Sequence, residues 1–115
     1  MVKVTAGADD AERCTQGFTV AATALAAGAH VSLWLTGEAT WLALPGQAEQ
    51  LELPHSAPLA DLLRAVLGGG QVTVCSQCAV RRDLVADDLL DGVRLAGAAV
   101  FVEEVLAADA QALVY

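Results

Sequence analysis

Short aliphatic runs alternate with segments whose apolar residues recur at helical spacing, and this alternation leaves few folds open. Val31-Ser32-Leu33-Trp34-Leu35 and Gln71-Val72-Thr73-Val74 read as strands. Between them, Leu59, Leu62, Leu63, Val66 and Leu67 line one face of an amphipathic helix, started by Pro58 and stopped by Gly68-Gly69-Gly70. Upstream, Lys3 to Ala6 leans towards β structure. The turn Gly7-Ala8-Asp9-Asp10 can cap a helix carrying Cys14, Phe18, Ala21, Ala22 and Leu25, which Gly28 ends. Downstream come a strand at Val93-Arg94-Leu95, a helical face of Ala98, Phe101, Val102, Val105 and Leu106, and a last strand from Ala110 to Val114. Thr36-Gly37-Glu38 leads into a loop or short helix through Trp41 to Leu44, and Pro45-Gly46 and Pro54 leave the middle mostly irregular. Strands separated by helices predict an α/β fold with a parallel sheet of about five strands, covered on both faces by right-handed crossovers.

A chain of 115 residues makes one domain, 1–115. Its 56% apolar content exceeds what such a domain needs, and the surplus predicts surface buried in a closed homo-oligomer. No membrane span is expected, because the most apolar stretch, Val20 to Leu35, is interrupted by Thr23, Gly28, His30 and Ser32. The first residues lack the apolar centre of a secretory signal, so a cytoplasmic location is expected. Fourteen acids against six bases give a net charge of −8, without the basic footprint that nucleic acid or an anionic membrane requires. The one basic cluster, Arg81-Arg82, stands beside two of the three cysteines.

Those cysteines, Cys75 and Cys78, follow directly on a predicted strand, and a short helix is expected after them to about Leu84, with Ser76 as a possible cap. In parallel α/β proteins the strand-to-helix junction opens into the crevice where chemistry is done. A thiol there ionises more easily if helix N-terminal amides and nearby arginines reach it, and the thiolate is the reactive form. Cys75 is therefore the candidate nucleophile, able to attack an electrophilic sulfur or to hold a persulfide. Cys78 is placed as a resolving thiol, or else as a small core residue. Cys14, on the apolar stripe with Phe18, reads as packing.

The loops after the first three strands should gather at one rim. That would bring Glu38, as helix cap or proton carrier, and Trp41, as a pocket wall or subunit contact, near the thiols. His55, flanked by Pro54 and Ser56, is a candidate helper of the thiol, since histidine is the usual proton carrier at neutral pH. Arg81 is a candidate anion site, with one of the two arginines left to a solvated face. One Cys-x-x-Cys pair falls short of the usual four zinc ligands; His30 belongs to a predicted strand, and only His55 remains to recruit. No metal is expected, and thiol exchange requires no cofactor. Gly68-Gly69-Gly70 precedes a strand and is a helix stop, so no phosphate-binding loop is expected.

The stretch Val74-Cys75-Ser76-Gln77-Cys78-Ala79-Val80-Arg81-Arg82 resembles the DsrE/DsrF-like family, in which a strand ends on a cysteine and an Arg-Arg pair follows six residues later. Thr5-Ala6-Gly7-Ala8-Asp9-Asp10, Leu35-Thr36-Gly37-Glu38, and Gly97-Ala98 through Ala108-Asp109 to Tyr115 are similar to the family's other landmarks, in order along the chain. The resemblance implies a three-layer α/β/α fold and assembly as trimers or hexamers. For the relay members of the family it also implies a cysteine, here Cys75, that carries a persulfide between donor and acceptor proteins, as a sulfurtransferase-like carrier would. Cys78 replaces what is often a small residue, and Asp83 stands where relay members usually have glycine. A non-catalytic oligomeric module that binds a ligand or switches by thiol redox is the other reading of the same fold.

Overall fold

A computed structural model describes residues 1–115. It contains β1 (Val2–Val4), α1 (Ala11–Ala26), β2 (Ser32–Leu35), α2 (Leu59–Gly69), β3 (Gln71–Cys75), α3 (Ser76–Val80), β4 (Val93–Ala96), α4 (Ala98–Val105) and β5 (Leu113–Val114). Short 3-10 segments lie at 8–10, 37–43, 48–50 and 86–88. The five strands form one sheet in the order β4-β3-β2-β1-β5, every pair parallel.

That order dictates how the helices are distributed. From β1 to β4 each new strand is added on the same side of the last, so right-handed crossovers place all three connections on one face. Only the return from β4 to β5 runs the other way and carries α4 across the opposite face. The first face is dry. Val4, Leu33, Leu35, Val72 and Val74 are fully buried there beneath Cys14, Phe18 and Ala21 of α1 and Leu59, Leu63 and Val66 of α2. Asp10 accepts a hydrogen bond from the Arg13 backbone N–H at 3.2 Å and caps α1, and Gly28 leaves it with φ 90°.

The second face is polar, because alternate strand residues point to it. The register aligns Lys3, Trp34, Thr73 and Arg94 in one row across four strands. Helix α4 is pinned over this row by two residues. Phe101 meets Trp34 edge to face with ring centroids 5.2 Å apart, and the Lys3 ammonium lies 5.2 Å from the Phe101 ring. Glu104 accepts from Ser32 Oγ at 2.7 Å, from Trp34 Nε1 at 2.9 Å and from Arg94. Burial pushes the Glu104 carboxyl up, but these three donors and the Arg94 charge outweigh it and hold it below the usual range. No residue of α4 is itself buried, and no helix of the structure is long and apolar enough to cross a membrane.

The expected elements are present, with shifted ends. His30 is exposed and precedes β2 instead of lying within it. Helix α3 stops at Val80, short of the expected Leu84, because Asp83 turns the chain at φ 55°. A left-handed residue of this kind explains why glycine is usual at such a position; aspartate is one of the few side chains that tolerate it. Strand β5 shrinks to two residues.

Candidate functional site

Backbone contacts bring the loops after β1, β2 and β3 together at the carboxyl rim of the sheet. The Glu38 N–H donates to the Thr5 carbonyl at 3.1 Å, and the Thr36 N–H donates to Val4 at 3.0 Å. Gly7 packs so closely that a Cβ there would lie 2.7 Å from the Glu38 carbonyl oxygen. The 3-10 segment 37–43 is thereby locked against β1 and faces α3.

Cys75 is the last residue of β3 and the N-cap of α3, half-buried, with extended φ −63° and ψ 121°. Ser76, the expected cap, begins the helix instead, and no side chain caps it. Since α3 has only five residues, its dipole is too small to activate a thiol by itself.

The stabilising contacts fall on Cys78, one turn further. Its Sγ accepts the Gly37 N–H at 3.3 Å, and the neighbouring Cys75 thiol also favours its charged form. Burial pushes the Cys78 thiol up. The Gly37 amide, the Cys75 thiol and the positive charges of Arg82 and Arg81 more than offset this and hold it below the ordinary thiol value. Gly37 reaches Cys78 only because it adopts φ 52°, where a Cβ would stand 2.8 Å from the Thr5 carbonyl oxygen.

Arg82 joins the two walls of the site. One Nη donates to the Cys78 carbonyl at 3.2 Å, and the other bridges to Glu38 Oε1 at 2.7 Å. The guanidinium carbon lies 5.6 Å from the Trp41 ring centre. Its Nε is buried without a partner. Glu38 therefore spends its carboxylate on Arg82 and does not cap the short helix. Trp41 is partly exposed and walls a cavity of about 390 Å³ with Ala8, Glu38, Leu42, Gln47 and Gln50.

The remaining candidates are placed apart. Arg81 is exposed and borders a shallow groove of about 330 Å³ with Ser76, Gln77 and Val80. Of the two arginines, it is Arg82 that turns inward. His55, with φ 61°, lines a separate groove against α1 beside Glu12, Gln16 and Thr19. No three His, Cys, Asp or Glu side chains are grouped so as to hold a metal ion. Gly37 and Arg82 are the functional candidates that sequence reasoning passed over as such. The Gly-containing turn after β2 was a signal for the first, whereas nothing local distinguished the second from Arg81.

Comparison with known proteins agrees with this architecture. The model of the DsrE/DsrF-like family matches residues 1–111. The uncharacterized protein MJ0760 of Methanocaldococcus jannaschii is 30% identical over 99 residues, covering 85% of this chain and 36% of that relative, so the chain spans about a third of its length. Among solved structures, the ychN protein of E. coli superposes with a TM-score of 0.79 at 21% identity, covering 99% of this chain and 97% of the other. At that identity the likeness speaks for the fold: a five-stranded parallel sheet between helices.

Proposed function

The chain belongs to the DsrE/DsrF-like family, and on that premise we propose that it is a small sulfur carrier holding a sulfane sulfur as a persulfide on Cys75. The observation that carries this reading is the placement of Cys75: half-exposed, at the carboxyl end of an interior strand, and three residues from a second thiol whose negative charge its surroundings favour. A proton leaving Cys75 can pass to the neighbouring sulfur, and the Cys75 thiolate is then free to take a sulfane sulfur from a donor protein's persulfide. The positive charges of Arg82 and Arg81 that favour the Cys78 thiolate stand at the same corner, where an anionic persulfide would sit. Donor and acceptor are proteins, and the carrier works in the cytoplasm, where thiols stay reduced.

The carrier acts as a homo-oligomer, a trimer or hexamer. Val102 and Leu106 on α4 are 50% and 77% exposed, and Val114 on the edge strand β5, in register with Lys3, is 64% exposed. A single helix leaves this second face of the sheet underfilled, and a second copy would cover it.

Intact-mass measurement after loading with a polysulfide tests the reading. At the earliest times after loading the protein should gain about 32 Da per sulfur, mapped to Cys75, and Cys75→Ser should gain none. Equal loading of that variant would reject the proposal. Cys14 is an internal control, since burial above all, with Asp9 and Asp10, pushes its thiol up to about 12.

A further inference from the structure

The two thiols at the rim are unequal in a way the carrier reading leaves unused. Cys75 is the more accessible sulfur, yet it is Cys78, only 8% exposed, whose Sγ accepts the Gly37 N–H at 3.3 Å, whose backbone carbonyl holds the Arg82 guanidinium at 3.2 Å, and whose charged form the arginine favours. Buried nucleophiles that still have donors aimed at them serve an intramolecular partner better than an external one, because no substrate need enter.

We propose that the pair divides the work: Cys75 carries the sulfur, and Cys78, held by Gly37 and Arg82, displaces it as hydrosulfide by closing a Cys75–Cys78 disulfide. This rests on the carrier reading of Cys75. In the step, the Cys78 thiolate attacks the Cys75 sulfur of the persulfide. A bond forms between the two cysteine sulfurs, the bond from Cys75 to the outer sulfur breaks, and its electron pair leaves with that sulfur as HS⁻. The sulfane sulfur is reduced by two electrons relative to its bound state, and the dithiol is oxidised by the same two, so no outside oxidant or reductant enters.

Geometry permits the closure. Residues three apart on a helix bring their Cβ atoms within about 5–6 Å, and a disulfide needs about 3.5–4.5 Å. Cys75 caps the helix from outside it, at ψ 121°, so closure draws on rotation at the strand-to-helix joint. The Arg82–Glu38 bridge at 2.7 Å fixes α3 to the segment that presents the Gly37 amide, so the attacking sulfur stays aimed. Gly37 and Arg82 are positioning residues in this step.

The experiment loads reduced wild-type protein, Cys78→Ser and Cys78→Ala with polysulfide, removes the reagent, and follows intact mass and free sulfide. Wild type should lose the added sulfur, release sulfide and end about 2 Da below the reduced protein, with Cys75 and Cys78 linked in one peptide. Both variants should keep the added sulfur on Cys75. Wild type holding its sulfur as long as the variants, or sulfur recovered on Cys78, overturns the division of labour while leaving the carrier reading intact. No uptake on Cys75 in either folded variant overturns both. Release from wild type should accelerate with pH until Cys78 is fully ionised, and Arg82→Gln should move that profile to higher pH; a profile unmoved by the substitution contradicts the positioning role.

Discussion

Cys14 and Cys78 are buried cysteines of the same small domain, and their surroundings drive them in opposite directions. Cys14 lies fully buried on α1 in the dry layer, with Phe18 one turn along and only the carboxylates Asp9 and Asp10 as charged influences, and its thiol is raised to about 12. Cys78 lies at the rim, where burial also opposes charge, but the Gly37 amide, the Cys75 thiol and two arginines more than compensate. Burial alone therefore says little about a cysteine's reactivity. What decides it is whether donors enter the site along with the sulfur.

The pH dependence of stability should divide along the same line. The folded state prefers the neutral Cys14 thiol, so its contribution is complete below the unfolded value of about 9.0 and is lost as pH rises towards 12. Cys78 has a depressed folded value. Its contribution is present above the unfolded value and is lost as pH falls through the folded one.

The largest test breaks the dry seat. Phe18→Ala removes a fully buried ring beside Cys14 and should cost about 3–5 kcal/mol. Denaturant titration measures the loss, and Cys14 labelling should accelerate in step with global unfolding. An unchanged midpoint would contradict the close packing of Phe18 in the dry layer. A smaller effect is expected at the rim. Gly37→Ala forces a Cβ against the Thr5 carbonyl at positive φ and should cost about 1–3 kcal/mol. It should also shift the pH profile of Cys78 alkylation upward, read by peptide mapping, and leave Cys14 unreactive. If the profile stays where it was, the Gly37 amide does not hold the thiolate. The smallest effect is alkaline. Near pH 10 the Cys14 thiol ionises in the unfolded chain while the folded protein keeps it neutral, which should lower stability by roughly 1 kcal/mol relative to neutral pH, and Cys14→Ala should lack that part of the slope. Parallel slopes in the two proteins would mean the thiol is not held neutral by its seat.

Much of the fold was legible because it follows from local patterns. The stripe Leu59, Leu63, Val66 and the β-branched run Val72-Thr73-Val74 bury the residues their spacing predicts. The rim gathering Gly7, Gly37 and Cys75 follows from strands that all run one way. The polar row of Lys3, Trp34, Thr73 and Arg94 was illegible, because each member stands alone in its strand and only register aligns them. The inward turn of Arg82 was hidden likewise. One residue along a helix rotates a side chain by about 100°, and which of two adjacent arginines faces Glu38 depends on a contact 44 residues away in sequence.

From its residue order alone, this chain determined the alternation of strands and helices, the single sheet and the placing of a cysteine pair at a strand's end, since periodicity and turn chemistry act between near neighbours. The tertiary structure decided which sulfur is favoured as an anion and which arginine serves it. Those outcomes depend on a backbone amide 41 positions from Cys78 and a carboxylate 44 positions from Arg82, delivered by a separate loop. Electrostatic stabilisation acts through space at a few ångströms, and only folding sets those distances.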